Sequence, residues 1–122
     1  MILADTSVWV EHLRHGNTPL KTLLQDGDIV CHPMIIGELA CGDLHPRQEI
    51  LGLLAALPVV MVAEHAEVLK FIEQKHLAGK GLGYIDAHLL ASAVLSDIPI
   101  WTEDASLKKA AILFDKFWEH SP

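Results

Sequence analysis

The chain opens with Met1-Ile-Leu-Ala-Asp5-Thr-Ser-Val-Trp-Val10, a short apolar run that ends in a carboxylate and passes directly into two hydroxyl residues. Residues 2–4 are predicted to form a buried strand, and Thr6 or Ser7 is predicted to cap the helix that follows. Asp5 is therefore expected at the carboxyl end of the strand. In open α/β sheets, ligands bind at that edge.

The same arrangement recurs near the other end of the chain. A second apolar run, Ile98-Pro99-Ile100-Trp101, leads into Thr102-Glu103-Asp104 and then into a helical pattern over residues 105–111. A second carboxylate thus follows a second predicted strand. An aspartate in this position can act only as a helix cap, so neither instance alone indicates a functional site.

Size and composition point to one domain that spans residues 1–122, because 51% of the residues are hydrophobic and 20% are charged. No apolar stretch reaches the roughly 18 residues of a membrane-spanning helix, and the N-terminus lacks the features of a signal peptide, so we expect a cytoplasmic protein. Cys31 and Cys41 lack the spacing of a zinc site or a disulfide framework. The formal charge of −7 disfavours a broad basic nucleic-acid-binding face, but it is compatible with a small acidic site that binds cations.

Strand and helix patterns alternate along the chain. Further strands are predicted at residues 28–31 and 59–62, the second of which is Val59-Val60-Met61-Val62. Further helices are predicted at 18–26, 34–41, 46–57, 64–77 and 84–96. This alternation predicts an α/β fold with a mostly parallel central sheet of about four to five strands and helices on both faces. The segment 112–120 can be read as a last strand or as a helix end.

Two further acids occur in helices with apolar faces. Asp86 is in the first turn of the most apolar helix, where its side chain is expected to point toward the core side. Burial of an unpaired charge is unfavourable. The alternative is that Asp86 interacts with the positive end of its helix, an effect of about 0.3–1 kcal/mol. Glu38 lies on the apolar side of its own helix and can alternatively be a solvated or ion-paired residue.

The four carboxylates Asp5, Glu38, Asp86 and Asp104 suggest a shared site, because two of them follow predicted strands and two are on predicted helices that are expected to pack beside those strands. Clustered like charges raise one another's proton affinity unless a cation is bound. Hard oxygen ligands favour Mg²⁺ or Mn²⁺, which can activate a water molecule for attack on a phosphodiester. Metal-dependent phosphodiester hydrolysis is the resulting hypothesis.

These residues occur in segments that resemble PIN-domain ribonucleases, most closely the VapC-type toxins of bacterial and archaeal toxin–antitoxin pairs. The segments occur in the family's order and extend over essentially the whole chain. They are Ile2-Leu-Ala-Asp5-Thr-Ser-Val-Trp9, Ile36-Gly-Glu38-Leu-Ala-Cys-Gly42, Tyr84-Ile-Asp86-Ala-His-Leu-Leu-Ala91 and Trp101-Thr-Glu-Asp104.

The resemblance implies a three-layer PIN-like fold and an endoribonuclease that depends on Mg²⁺ or Mn²⁺. The catalytic and metal-binding cluster that it implies consists of Asp5, Glu38, Asp86 and Asp104. Thr6 or Ser7, together with Thr102, match hydroxyl positions that support such a site. The implied partners are an RNA substrate, a second copy of the chain in a homodimer and a VapB-type antitoxin that covers the acidic groove. No interaction with a membrane is implied.

Two alternative functions remain open at this point. The first keeps the fold but not the toxicity, as an RNA-processing nuclease or as a protein that acts only through its partner. The second is a phosphate-receiving signalling domain, which usually has an acidic pair near its first strand and a phosphorylated aspartate after a middle strand. Asp5 stands alone, and the run at 59–62 ends without an aspartate, so this alternative is disfavoured.

Other residue types are assigned to the surface or to packing. The eight histidines are predicted to be surface residues rather than metal ligands, and Trp9 and Trp101 are predicted to pack in the core. The glycine-rich segment 79–83 is predicted to be a mobile loop at the site entrance. The sequence does not indicate which basic residues contact RNA phosphates, and the candidates are Arg14, Arg47, Lys75, Lys80, Lys108 and Lys109.

Overall fold

A parallel sheet with strand β1 (Ile2–Ala4) at its centre forms the middle of the computed structural model, which describes residues 1–119. Strands β2 (Ile29–Val30) and β3 (Ile100–Trp101) pair with β1 on its two sides. Leu3 lies opposite Val30 on one side and opposite Ile100 on the other. All three strands run in the same direction, so their carboxyl ends share one edge. The predicted α/β fold with a parallel sheet is confirmed.

The sheet is narrower than predicted, because only three strands are paired in ladders within residues 1–119. Two further segments each add a single parallel bridge, one between Val59 and Cys31 and one between Phe117 and Ile100. The segment 112–120 thus begins as a helix end and then reaches the sheet edge at Phe117. Its final residue, His120, lies outside the described residues, as does the end of the predicted domain.

The prediction of a strand over residues 59–62 is wrong beyond the bridge at Val59. Within the run, the N–H of Val60 donates to the carbonyl of Cys31 (3.1 Å), as in a parallel strand. The next N–H groups on the other side of the chain donate to serine hydroxyls instead: Met61 donates to Ser96 Oγ (2.9 Å), and Ala63, just beyond the run, donates to Ser92 Oγ (3.2 Å). Val60 is buried, but Met61 is 61% exposed. Of this β-branched run, Val60 is the residue that points into the core, at the margin of the sheet.

Seven helices in residues 1–119 flank the sheet. They are α1 (Thr6–His15), α2 (Thr18–Gln25), α3 (Pro33–Ala40), α4 (Arg47–Ala55), α5 (His65–Gln74), α6 (Tyr84–Ser96) and α7 (Ala105–Leu113). The N-cap of α1 is Asp5 and not Thr6 or Ser7, which are its first two residues. Helix α5 ends earlier than predicted because the chain turns at His76, whose φ is 55°. None of these helices is long and apolar enough to cross a membrane.

The core lies between the sheet and α6, the most buried helix. Seven consecutive residues of α6, from Ala87 to Ala93, are buried, and Leu3 and Ile100 of the sheet have no exposed surface. Trp9 and Trp101 are also buried, which confirms their predicted packing role. The depth of α6 is relevant to the site because this helix begins with Asp86 in its first turn.

Two histidines are buried, so the prediction of surface histidines is wrong for them. His32 caps α3 through its Nδ1, which accepts the N–H of Met34 (3.0 Å), and its Nε2 lies 3.0 Å from Ser92 Oγ. The ring of His88 packs edge-on against that of His32 at 4.8 Å. Burial, with a smaller contribution from His88, lowers the pKa of His32 to about 4. His32 is therefore neutral near pH 7.

Candidate active site

Asp5 is the buried centre of the candidate site. It follows the central strand directly, and its main-chain N–H donates to the carbonyl of Trp101 on β3 (3.0 Å). Its side chain is only 5% exposed, and Oδ1 accepts the main-chain N–H of Val8 at 3.4 Å. Asp5 is thus both the helix cap and a carboxylate fixed at the sheet edge.

Two hydroxyl groups link Asp5 to the loop that follows β3. Ser7 Oγ donates to Asp5 Oδ1 (2.5 Å) and accepts the N–H of Glu103 (3.0 Å). Thr102 Oγ1 donates to Asp5 Oδ2 (2.6 Å) and accepts the N–H of Asp104 (2.9 Å). Each hydroxyl has a single hydrogen, and that hydrogen is directed to Asp5. The pattern fixes Asp5 as an acceptor and holds the two strand-end loops together.

Asp104 and Asp86 each occupy the start of a helix beside this network. Asp104 is exposed and caps α7, with Oδ2 accepting the N–H of Leu107 at 2.8 Å. Asp86 is half-buried in the first turn of α6, and its Oδ2 accepts the N–H of Gly83 at 3.2 Å. Asp5 and Asp104 therefore both act as helix caps, which is the alternative role that the sequence allows for an aspartate after a strand. Capping uses part of each carboxylate and leaves the rest of it for another role.

Glu38 joins the site through a contact between two helices. Thr6 Oγ1, in the first turn of α1, donates to Glu38 Oε1 on α3 at 2.6 Å. Glu38 is exposed, so its carboxylate faces solvent from the apolar side of its helix. The three hydroxyls named as supporting residues thus contact two of the four acids.

The electrostatics of the site indicate that its acids are close enough to interact. Burial raises the pKa of Asp5 above its usual value, although hydrogen bonds from Ser7, Thr102 and the main chain counteract the increase. Burial also raises the pKa of Asp86; the N–H of Gly83 lowers it, and the negative charges of Asp104 and Glu38 raise it further. Such mutual repulsion is what a bound cation would relieve.

The side chains do not converge on a single point. Within residues 1–119, no three histidine, cysteine, aspartate or glutamate side chains are close enough together to enclose a metal ion in this conformation. The structure brings Asp5, Glu38, Asp86 and Asp104 to the same edge of the sheet, with each carboxylate held by its own hydrogen bond. The arrangement is an open acidic surface.

Two features of this region were not predicted from the sequence. Gly83 orients Asp86, and the signal for it was the spacing of three residues between a helix cap and the acid that bonds back to it. A groove of about 320 Å³ opens beside Thr6 and Glu38, with apolar walls from α1 and α3 and with Arg14 in its lining. No sequence pattern predicts this groove, because it forms only where α1, α3 and the loop after α3 pack together.

Comparison with known proteins gives one family and several similar chains. The PIN domain family matches residues 2–113. Ribonuclease VapC32 of Mycobacterium tuberculosis, found in strains CDC 1551 / Oshkosh and H37Rv, is 47% identical over 111 residues, which cover 90% of each chain.

Solved structures show the same fold. FitAcB from Neisseria gonorrhoeae has a TM-score of 0.63 at 25% identity and covers 92% of this chain and 94% of its own. A toxin–antitoxin complex from Klebsiella pneumoniae has a TM-score of 0.65 at 19% identity, with 85% of this chain and 87% of that chain covered. The second likeness concerns the fold alone.

Proposed function

This chain belongs to the PIN-domain family as a VapC-type member, and from this premise we propose that it is the endoribonuclease toxin of a toxin–antitoxin pair. Its reaction is the hydrolysis of an RNA phosphodiester, in which water adds across a P–O bond and leaves a phosphate on one fragment and a hydroxyl on the other. The observation that supports this function best is the gathering of acids from four separate elements at one sheet edge, where Asp104 and Glu38 raise the pKa of Asp86.

The acidic cluster suits a divalent cation, and Mg²⁺ or Mn²⁺ in particular. Its donors are carboxylate oxygens, which these hard ions prefer, and a cation would offset the repulsion that Asp86 experiences. The residues that would hold it are Asp5, Glu38, Asp86 and Asp104. When bound, such an ion supplies an activated water molecule and neutralises charge on the phosphate.

The protein's own contribution is orientation. Ser7 and Thr102 direct their hydrogens to the two carboxylate oxygens of Asp5, so this carboxylate is held in a fixed orientation. Thr6 donates a hydrogen bond to Oε1 of Glu38, so the Oε2 atom of Glu38 remains available for a cation. Outer-shell bonds of this type keep ligands in position, and their loss commonly reduces metal affinity or activity by about 10–100-fold.

The partners follow from the family and from the exposed surface. VapC32 bears the name ribonuclease, so we expect an RNA substrate. Because VapC-type toxins occur in toxin–antitoxin pairs, we also expect a VapB-type antitoxin that covers the acids. We expect the chain to act in the cytoplasm as a single PIN domain and to form a homodimer. Exposed apolar side chains of α6 and the neighbouring segment, Met61, Val62, Val94 and Leu95, are available for that contact.

The test is cleavage of a panel of transfer and ribosomal RNAs by the purified protein with Mg²⁺, with Mn²⁺ or with a chelator. Asp86→Asn is assayed beside it, and Glu73→Gln, an exposed carboxylate on α5, is the matched control. We expect metal-dependent cuts at discrete positions by the parent and by Glu73→Gln, and none by Asp86→Asn. Equal cleavage by all three proteins would refute the site, and no cleavage of any RNA by the folded, metal-supplied parent would count against the nuclease.

A further inference from the structure

A basic pocket lies on the surface between α7 and the chain that follows α5. It encloses about 370 Å³, and three lysines line it. We call it the lysine pocket and define it by its polar lining residues, Lys75, His76, Lys80, Ser106 and Lys109. No carboxylate is among its lining residues, although the chain has a formal charge of −7. Cations are therefore concentrated here against the overall balance of the molecule.

The three lysines have no ion-pair partner within residues 1–119, where the ion pairs are those of His45 with Asp43 and of Lys116 with Asp97. Their side chains are exposed and free to accept an anion. An ammonium group is a compact charge with three donors, which suits phosphate oxygens.

Two other basic candidates from the sequence are engaged in local contacts. Arg47 donates to the carbonyls of Ala40 (2.7 Å) and Gly42 (3.2 Å) at the end of α3. Lys108 lies over the ring of Phe117, with Nζ 5.1 Å from its centre. Neighbouring lysines on the same helix thus differ in environment, because Lys109 lines the pocket and Lys108 packs against an aromatic ring.

The lysine pocket is connected to the acidic site by two elements. Helix α7 begins directly after Asp104, and Lys109 lies five residues further on, which is about 7.5 Å along the helix axis. The connector that contains Lys80 ends at Gly83, whose N–H donates to Asp86. The same two elements therefore carry both the acids and the cations.

The connector also touches α7 directly. Gly81 has a φ of +78°, and a Cβ at this position would lie 2.9 Å from Ser106 Oγ. Only glycine allows this approach without displacing the serine. The pocket wall is thus held against the helix that starts at Asp104.

We propose that the lysine pocket binds phosphates of the RNA strand next to the scissile bond. This inference rests on the proposed ribonuclease function and extends it by assigning the substrate track to Lys75, Lys80 and Lys109. A metal-loaded acidic site would attract the reacting phosphate, and the pocket would hold the backbone on one side of it. Contacts of this kind depend strongly on salt, because binding releases counterions from the nucleic acid.

The experiment measures the affinity of a fluorescein-labelled single-stranded RNA of mixed sequence for the full chain, in the Asp86→Asn background and with Mg²⁺ present. Lys75→Gln, Lys80→Gln and Lys109→Gln are combined in one variant. The control combines Lys21→Gln, Lys70→Gln and Lys108→Gln, which remove the same charge elsewhere. Circular dichroism and thermal melting verify that both variants fold.

We expect the pocket variant to raise the dissociation constant at least ~10-fold and to reduce the slope of log Kd against log salt by about 2, as loss of three single-strand phosphate contacts predicts. The control should change both quantities much less. Equal effects in the two variants, or no RNA binding by the parent, would overturn the proposal. Binding of labelled poly-glutamate is measured in the same way. If the pocket variant loses poly-glutamate binding but binds RNA as before, the pocket is a site for an acidic protein segment instead.

This readout separates the two proposals, because it does not require cleavage. RNA binding that depends on the pocket in a protein that cuts no RNA would refute the nuclease and leave the pocket in place. If the protein cleaves RNA and the three lysines affect neither the affinity for RNA nor KM, the nuclease stands and the lysine pocket is refuted.

Discussion

At the scale of single residues, Asp86 is a carboxylate that is partly buried and close to other acids, and without a bound cation both conditions disfavour its negative charge. It is half-buried at the start of the most buried helix, and both burial and the charges of Asp104 and Glu38 raise its pKa. A carboxylate whose pKa is raised by folding favours the folded state in its protonated form. Its ionised form therefore reduces stability at pH values above the usual aspartate range.

Asp86→Asn should consequently remove RNA cleavage while leaving the protein as stable as the parent or more stable. The loss of activity should exceed the roughly 10–100-fold expected for an outer-shell partner, because Asp86 is assigned to the metal itself. Thermal melting at pH 7 without added metal, together with a cleavage assay, measures both effects. Full activity in this variant would remove Asp86 from the site, and a lower melting temperature would contradict the repulsion argument.

His32 predicts a separate dependence of stability on pH. Its pKa is about 4 in the folded protein against 6.5 in the unfolded chain, so between these values the unfolded chain binds the proton and the folded protein does not. Stability should therefore fall as the pH decreases from about 6.5 to 4, by up to about 3 kcal/mol. The groups that face the ring are His88 and Ser92.

The check is urea denaturation of the parent and of His32→Asn across this pH range. Asparagine retains an acceptor for the cap of α3 but cannot take up the proton. Asp5 and Asp86 have raised pKa values and act in the opposite sense, so the difference between the two curves isolates His32. Parallel curves would show that the histidine does not control the acid sensitivity.

Residue types and order in the sequence were enough to predict where Asp5 and Asp104 lie, because a carboxylate after an apolar strand must emerge at the sheet edge. The hydrogen bond from Thr6 to Glu38 was not predictable in this way, since it joins residues 32 positions apart and depends on the packing of α1 against α3. The burial of His32 was missed for the same reason, because Ser92 and His88 reach it from a distant helix.

At the scale of elements, the connector between α5 and α6 has a defined structure. Both Gly79 and Gly81 have positive φ values, but only at Gly81 does the space for a side chain coincide with another residue, Ser106 of α7. A comparison of Gly79 and Gly81 therefore separates the cost of a positive φ, which both positions share, from the cost of contact with Ser106, which only Gly81 has.

Gly81→Ala should destabilise the protein more than Gly79→Ala. Both substitutions place a side chain in the left-handed region, at a cost of about 1–2 kcal/mol, and the first also forces Cβ against Ser106 Oγ. Adding Ser106→Ala to Gly81→Ala should recover the excess, because it removes the nearest atom. Chemical denaturation of the three variants measures this, and equal costs at the two glycines would contradict the contact.

The elements at the margins of the sheet were the least predictable. The run at 59–62 has the composition of a strand, yet it pairs with the sheet only through Val59 and Val60, and the N–H of Met61 donates to a serine hydroxyl on α6. The composition of a segment indicates that it can form a strand. Whether it pairs depends also on a neighbouring strand with a free edge in the correct register. The central strands lack such competitors and were predicted within one or two residues.

At the scale of the whole molecule, the fold places four acids on one edge at an electrostatic cost, and binding of a cation should offset it. Mg²⁺ or Mn²⁺ at about 100 times its dissociation constant should raise the free energy of unfolding by about 2.7 kcal/mol. For a chain of this size, that corresponds to a rise in melting temperature of about 10 °C. A chelator should reverse the rise, and Asp86→Asn should reduce it.

Thermal melting with increasing metal concentration measures this effect independently of catalysis. Ionic strength is held constant with a monovalent salt, so that general screening does not imitate binding. An unchanged melting temperature in the parent would contradict the metal-binding role of the cluster. An equal rise in the parent and in Asp86→Asn would place the ion elsewhere.

The central position of β1 has a consequence for how the protein is made. The ribosome synthesises β1 first, but one of the strands that must flank it begins at Ile100, and Asp104 comes later still. A growing chain therefore has no acidic site until residues through 104 have emerged, at a translation rate of about 5–20 residues per second. Translation products that stop before Asp104 lack at least one of the four acids, so they carry no complete acidic site.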